Sequence, residues 1–166
     1  MTATAPQAIP AGLPPGAFSV SQLIDVLRDV SNQTLFGAVG TAAVVTSATT
    51  YTSATGASQI FTKNRSSALT DVIGLILVAG FRSTSTAPIT TIAISDGTTD
   101  WPAAIIAYNT VLEHMAFGGM ARMTGLAAGT YTMTLRAKES AATGSWTLNS
   151  GDPVSMMLME VPVSQV

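Results

Sequence analysis

From Thr41 onward the chain alternates short runs of β-branched, aromatic and aliphatic residues with small or turn-forming ones. The cleanest run is 129–138. There Thr130, Thr132, Thr134, Arg136 and Lys138 fall on one side, and Tyr131, Met133, Leu135 and Ala137 on the other. Strict period two marks a strand with one wet and one dry face. The same grammar predicts strands over 41–46, 49–54, 59–63, 72–81, 89–95, 103–108, 112–122, 145–148 and 153–161. Asp96-Gly97 reads as a tight turn, and Gly118-Gly119 as a bulge or bend within its strand. Short strands separated by turns, with no helix between them, predict an all-β fold, an antiparallel β-sandwich of jelly-roll type.

Two segments break the alternation. Residues 72–81 (VIGLILVAGF) and 156–159 (MMLM) are apolar on both faces. An antiparallel sheet normally turns one face to water. A second dry face implies cover by another subunit, or by a loop or helix of the same chain. On the first alternative, Leu75, Leu77, Met157 and Met159 are the expected subunit interface.

The first forty residues read differently. Residues 1–18 carry Pro6, Pro10, Pro14 and Pro15 among small residues. Proline fixes φ and removes donors, which favours an extended arm. Ser19 and Gln22 form a capping box, with Phe18 placed to staple onto Leu23. Val20, Leu23, Ile24, Leu27 and Val30 then recur at helical spacing, so a helix is expected over about 20–30. A helix this short is unstable alone and needs a surface for its apolar stripe. Residues 19–40 are therefore expected to be a short helix and a joint containing Gly37 and Gly40, ahead of a sandwich domain over 41–166. Pro14, Pro15, Phe18, Leu23 and Leu27 are the candidate anchoring residues.

Composition narrows the function. Only 10% of the 166 residues are charged while 47% are hydrophobic, against roughly 25% charged in ordinary domains. Self-association is one way to hide such a surface; a coat of Thr and Ser is the other. The net charge is −2 without a basic cluster, so no nucleic-acid partner is expected. The longest apolar run is about half a membrane crossing, so no membrane insertion is expected. No cysteine is present. The single histidine, His114, has no G-x-S-x-G elbow, and the nine carboxylates are scattered singly. Asp96 to Asp100 lacks the full ligand series of a calcium loop. No catalytic residue, metal or cofactor is expected. Trp101 and Tyr108, with Trp146, are the candidate glycan contacts, a role that requires them exposed together.

Leu126, Gly129, Tyr131 and Leu135 give an L-x-x-G-x-Y-x-x-x-L pattern. It resembles a hairpin of trimeric jelly rolls found in phage receptor-binding and fibre-like domains and in C1q/TNF-like folds. The apolar final strand is similar to that group, whereas the proline-rich arm and helix depart from the C1q-like pattern. The resemblance implies a homotrimeric structural component of a bacteriophage virion, made in the host bacterial cytoplasm. A minor tail or fibre-base protein is the first expectation. It would be anchored to other virion proteins by its arm and helix and trimerised through the sandwich. A capsid decoration protein is the second, and a carbohydrate-binding module that recognises a host surface glycan the third.

Overall fold

The computed structural model describes residues 34–39, 44–46, 48–82, 87–149 and 151–163. The expected arm and helix, with Pro14, Pro15, Phe18, Leu23 and Leu27, lie outside the described residues. The described chain forms ten strands and no helix. They are β1 (Thr34–Val39), β2 (Val44–Thr46), β3 (Thr52–Lys63), β4 (Thr70–Arg82), β5 (Thr90–Ser95), β6 (Asp100–Ile106), β7 (Met115–Met123), β8 (Gly129–Glu139), β9 (Trp146–Leu148) and β10 (Pro153–Pro162).

One sheet runs β1-β10-β4, and β4 carries β7 along 72–80 and the short β9 at its end, with β2 beyond β9. The other sheet runs β3-β8-β5-β6. All pairings are antiparallel. A common apolar core lies between the sheets. Val72, Ile76, Val78, Met156 and Leu158 come to it from one sheet, and Phe61, Ile92, Ile94, Met133 and Leu135 from the other. Burying side chains of this size stabilises by about 1.5–3 kcal/mol each relative to exposure.

Local packing explains several glycines. A Cβ at Gly74 would lie 2.3 Å from Ile94 Cδ1 and 2.5 Å from Met123 Cε, so those tips occupy its place. One at Gly80 would meet the Trp146 ring at 2.6 Å. Gly97, at φ +93°, takes the turn position that the Asp96-Gly97 pair predicts. Asp96 Oδ1 accepts hydrogen bonds from the amides of Thr98 and Thr99 at 2.8 and 2.7 Å, which closes the β5–β6 hairpin.

Three expectations need correction. Residues 34–39 are a strand and not a joint: Thr34–Val39 pairs with β10 along its whole length. TLFGAV has a strand composition, but Gly37 masked it. The runs 49–54 and 59–63 are parts of one strand, β3, broken by a register shift between Ser53 and Ser58. Gly118-Gly119 is not a bulge, because Leu77 pairs with Gly118 and Ile76 with Gly119 in unbroken register. Gly119 instead permits close approach to β6, where a Cβ would stand 2.3 Å from the Ala103 carbonyl oxygen. The shifts that do occur lie within β3 and between β5 and β6, the latter beside Pro102. Proline is tolerated on such an edge strand because no ladder partner needs its missing N–H.

Candidate functional site

Strand alternation divides β4 between two environments. Val72, Gly74, Ile76 and Val78 face the core and are buried. Leu75 and Leu77 face outward and are 37% and 51% exposed. In β10, Val154, Met156 and Leu158 are buried while Met157 and Met159 are half-buried. Leu75 is the direct cross-strand partner of Met157 on one side and of Met120 on the other. Ile73 likewise lies between Met159 and Arg122. The result is an apolar outer patch over three neighbouring strands, centred on Leu75. From Ile73 to Leu77 it is roughly 13 Å long, and three strands make it roughly 10 Å wide before side chains spread. Met120 is the most open member, at 61%. Arg122 bounds the patch at one end, its Nη2 2.6 Å from Asp71 Oδ2.

The four interface candidates, Leu75, Leu77, Met157 and Met159, therefore fall on one face of one sheet. Ile73 and Met120 join them unforeseen. Ile73 lay inside the doubly apolar run, where its outward parity with Leu75 was available. Met120 follows two glycines, and nothing in the sequence shows that β7 pairs with β4.

The candidate glycan aromatics separate differently. Tyr108 is only 3% exposed and donates its hydroxyl hydrogen to the Gly80 carbonyl at 3.2 Å. Trp146 is fully buried and donates from Nε1 to the Tyr108 oxygen at 2.9 Å. Both rings are in the core with their polar ends satisfied, as buried Tyr and Trp require. Trp101 is half-buried against the same core. An exposed aromatic platform on these three residues is thus ruled out by their packing.

The carboxylates are engaged locally. Glu160 and Lys63 have fully buried side chains 3.8 Å apart. Glu160 accepts hydrogen bonds from the Asn64 and Arg65 amides and from Thr70 Oγ1. Lys63 donates to the Arg65 carbonyl at 2.6 Å and to Thr70 Oγ1 at 2.8 Å. Burial pushes the Glu160 carboxyl upward, but the hydrogen bonds from Thr70, Asn64 and Arg65 and the charge of Lys63 outweigh it and hold the group below its ordinary range. This cluster ties the β3–β4 turn to the last strand. Asp100 accepts two bonds from Arg136 Nη1, at 2.8 and 3.0 Å. Arg136 also donates from Nη2 to the Tyr51 carbonyl at 2.7 Å. Burial, then the Asp100 charge, raises the Tyr51 hydroxyl pKa against the opposing pull of Arg136. Half-exposed His114 has Nδ1 3.2 Å from Asp152 Oδ1. Among the described residues no three His, Asp or Glu side chains converge as a metal site, and no helix is long and apolar enough to cross a membrane.

No family model matches the chain, and no curated protein matches it. Solved structures similar to it include the tripod (BppUct-A-L) from the baseplate of bacteriophage Tuc2009. The TM-score is 0.46 at 14% identity, over 96% of this chain and 79% of that one. A pentameric capsid protein from metagenomic phage sequences is also similar. It has a TM-score of 0.36 at 13% identity, over 92% of this chain and 82% of that one.

Proposed function

We propose that the chain is a non-enzymatic structural component of a phage virion, of minor-tail or fibre-base type, that assembles as a homotrimer. The outer face of the β1-β10-β4-β7 sheet is its subunit surface, and the arm of residues 1–18 reaches other virion proteins. One observation carries the proposal: Leu75, Leu77 and Met120 form a contiguous exposed apolar patch on a chain with 10% charged residues. Patches of this kind on soluble proteins mark interaction sites. The strand orders β1-β10-β4-β7 and β3-β8-β5-β6, in which the chain repeatedly crosses between sheets, support a jelly-roll sandwich. The resemblance at Leu126, Gly129, Tyr131 and Leu135 supports the phage context.

Light scattering on the full chain tests this. A mass about three times 17.0 kDa is expected, falling to one chain in Leu77→Lys. A wild-type monomer at micromolar concentration overturns the proposal, as does a Leu77→Lys variant that keeps the wild-type mass. Cryo-EM of the parent particle distinguishes a tail position from that of a capsid decoration protein.

A further inference from the structure

The apolar patch and the amphipathic segment before β1 answer one another. The segment 20–30 presents Val20, Leu23, Ile24, Leu27 and Val30 at helical spacing, and a helix that short needs a surface to bury them against. Among the described residues the patch centred on Leu75 stays open, with Leu77 at 51% and Met120 at 61% exposure. Their lengths are comparable: eleven helical residues measure about 16 Å, and the patch runs roughly 13 Å from Ile73 to Leu77. Their connection matters as much. β1 is the edge strand of this same sheet and begins at Thr34, with only three residues between it and Val30. A chain stretch that short spans at most about 13 Å between Val30 and Thr34. β4 of the same copy lies two strand spacings, roughly 10 Å, from β1, so seating Val30 over it would use most of that reach. Short strained connections favour exchange of an element between copies over folding back.

We infer that residues 19–30 of one copy seat as a helix on the outer face of β4 and β10 in a sister copy. In the homotrimer proposed above each copy gives its segment to one neighbour and receives one from the other, a heterologous contact that closes into a ring. Leu23 and Leu27 then meet Leu75 and Leu77 of the neighbour, and the arm of residues 1–18 is left to engage other proteins. This rests on the self-association proposed above.

The chain has no cysteine, which makes the test clean. Full-length chains carrying Leu23→Cys alone and Leu77→Cys alone are mixed, allowed to exchange subunits and oxidised. A disulfide joining one chain of each kind is expected, reversed by reductant and absent when Thr132→Cys replaces Leu77→Cys. Failure of the mixed disulfide while light scattering still shows an oligomer overturns this inference and leaves self-association standing. So does a doubly substituted chain, Leu23→Cys with Leu77→Cys, that forms its bond only within itself. A monomeric wild-type chain overturns both.

Discussion

The two sheets share one core but turn opposite chemistry outward. The β3-β8-β5-β6 sheet shows Thr130, Thr132, Thr134, Arg136 and Lys138, with Thr62 and Thr130 hydroxyls 3.2 Å apart across the strands. The β1-β10-β4-β7 sheet shows Ile73, Leu75, Leu77, Met120 and Met157. Period-two alternation holds in β8, in β10 and over 72–78 of β4, so the difference lies in what occupies the outward positions. The low charge of the chain is therefore unevenly spread. One face meets water mainly through hydroxyls and a few cations, with Ile60 and Ile105 as separate exposed exceptions on β3 and β6. The other meets it with aliphatic and thioether groups, which gain by leaving water.

The largest expected effect comes from the pair that ties the two sheets together. Lys63 belongs to the polar-faced sheet and Glu160 to the apolar-faced one. Lys63→Met leaves a buried carboxylate without its cation and should cost about 3–5 kcal/mol in urea unfolding. Acid should act on the same carboxylate. Its pKa in the fold lies below the ordinary 4.5, so its contribution is complete above that value and fades as pH falls through the lowered one. The stability gap between wild type and Glu160→Gln should accordingly narrow in acid. A gap that widens there would contradict the assignment.

Inner and outer residues of β4 should part next. Ile76→Ala opens the core and should cost about 2–5 kcal/mol. Leu77→Ala, one residue away, should cost under about 1 kcal/mol in the isolated chain while weakening self-association. Equal losses at the two positions would erase the contrast between inside and outside. On the polar face, Thr132→Lys should leave both stability and mass unchanged within error, and a change of mass would move the subunit surface there. The smallest effect is expected at Thr62→Ala. It removes a cross-strand hydroxyl pair and should cost about 0.2–1 kcal/mol.

Much of this arrangement is legible in the residue pattern. The alternation at 129–138 marks β8 with the correct wet side, and the runs 72–81 and 156–159 mark β4 and β10 as strands apolar on both faces, although Leu75 and Leu77 on the outer one are exposed. What stays hidden is pairing. Met120 belongs to the patch only because β7 lies beside β4, a contact between residues more than forty positions apart. Tyr108, at the end of the predicted strand 103–108, is a candidate glycan contact by sequence. It is buried because Gly80 and Trp146, distant in sequence, receive it. β1 escaped notice because one glycine in TLFGAV has the same local signature as a hinge, and only its pairing with β10 distinguishes the two.

Methionine oxidation by dilute peroxide reads the outer face directly, because a thioether oxidises according to its exposure. Met120 is on the patch, Met133 is in the core, and Met115 is exposed at the start of β7, away from the outward positions. In the assembled wild-type chain Met120 should oxidise nearly as slowly as Met133 while Met115 reacts fast, and in Leu77→Lys Met120 should become as fast as Met115. If Met120 reacts as fast as Met115 in the assembled wild-type protein, the apolar face is bare in the oligomer and is not the surface through which the copies join.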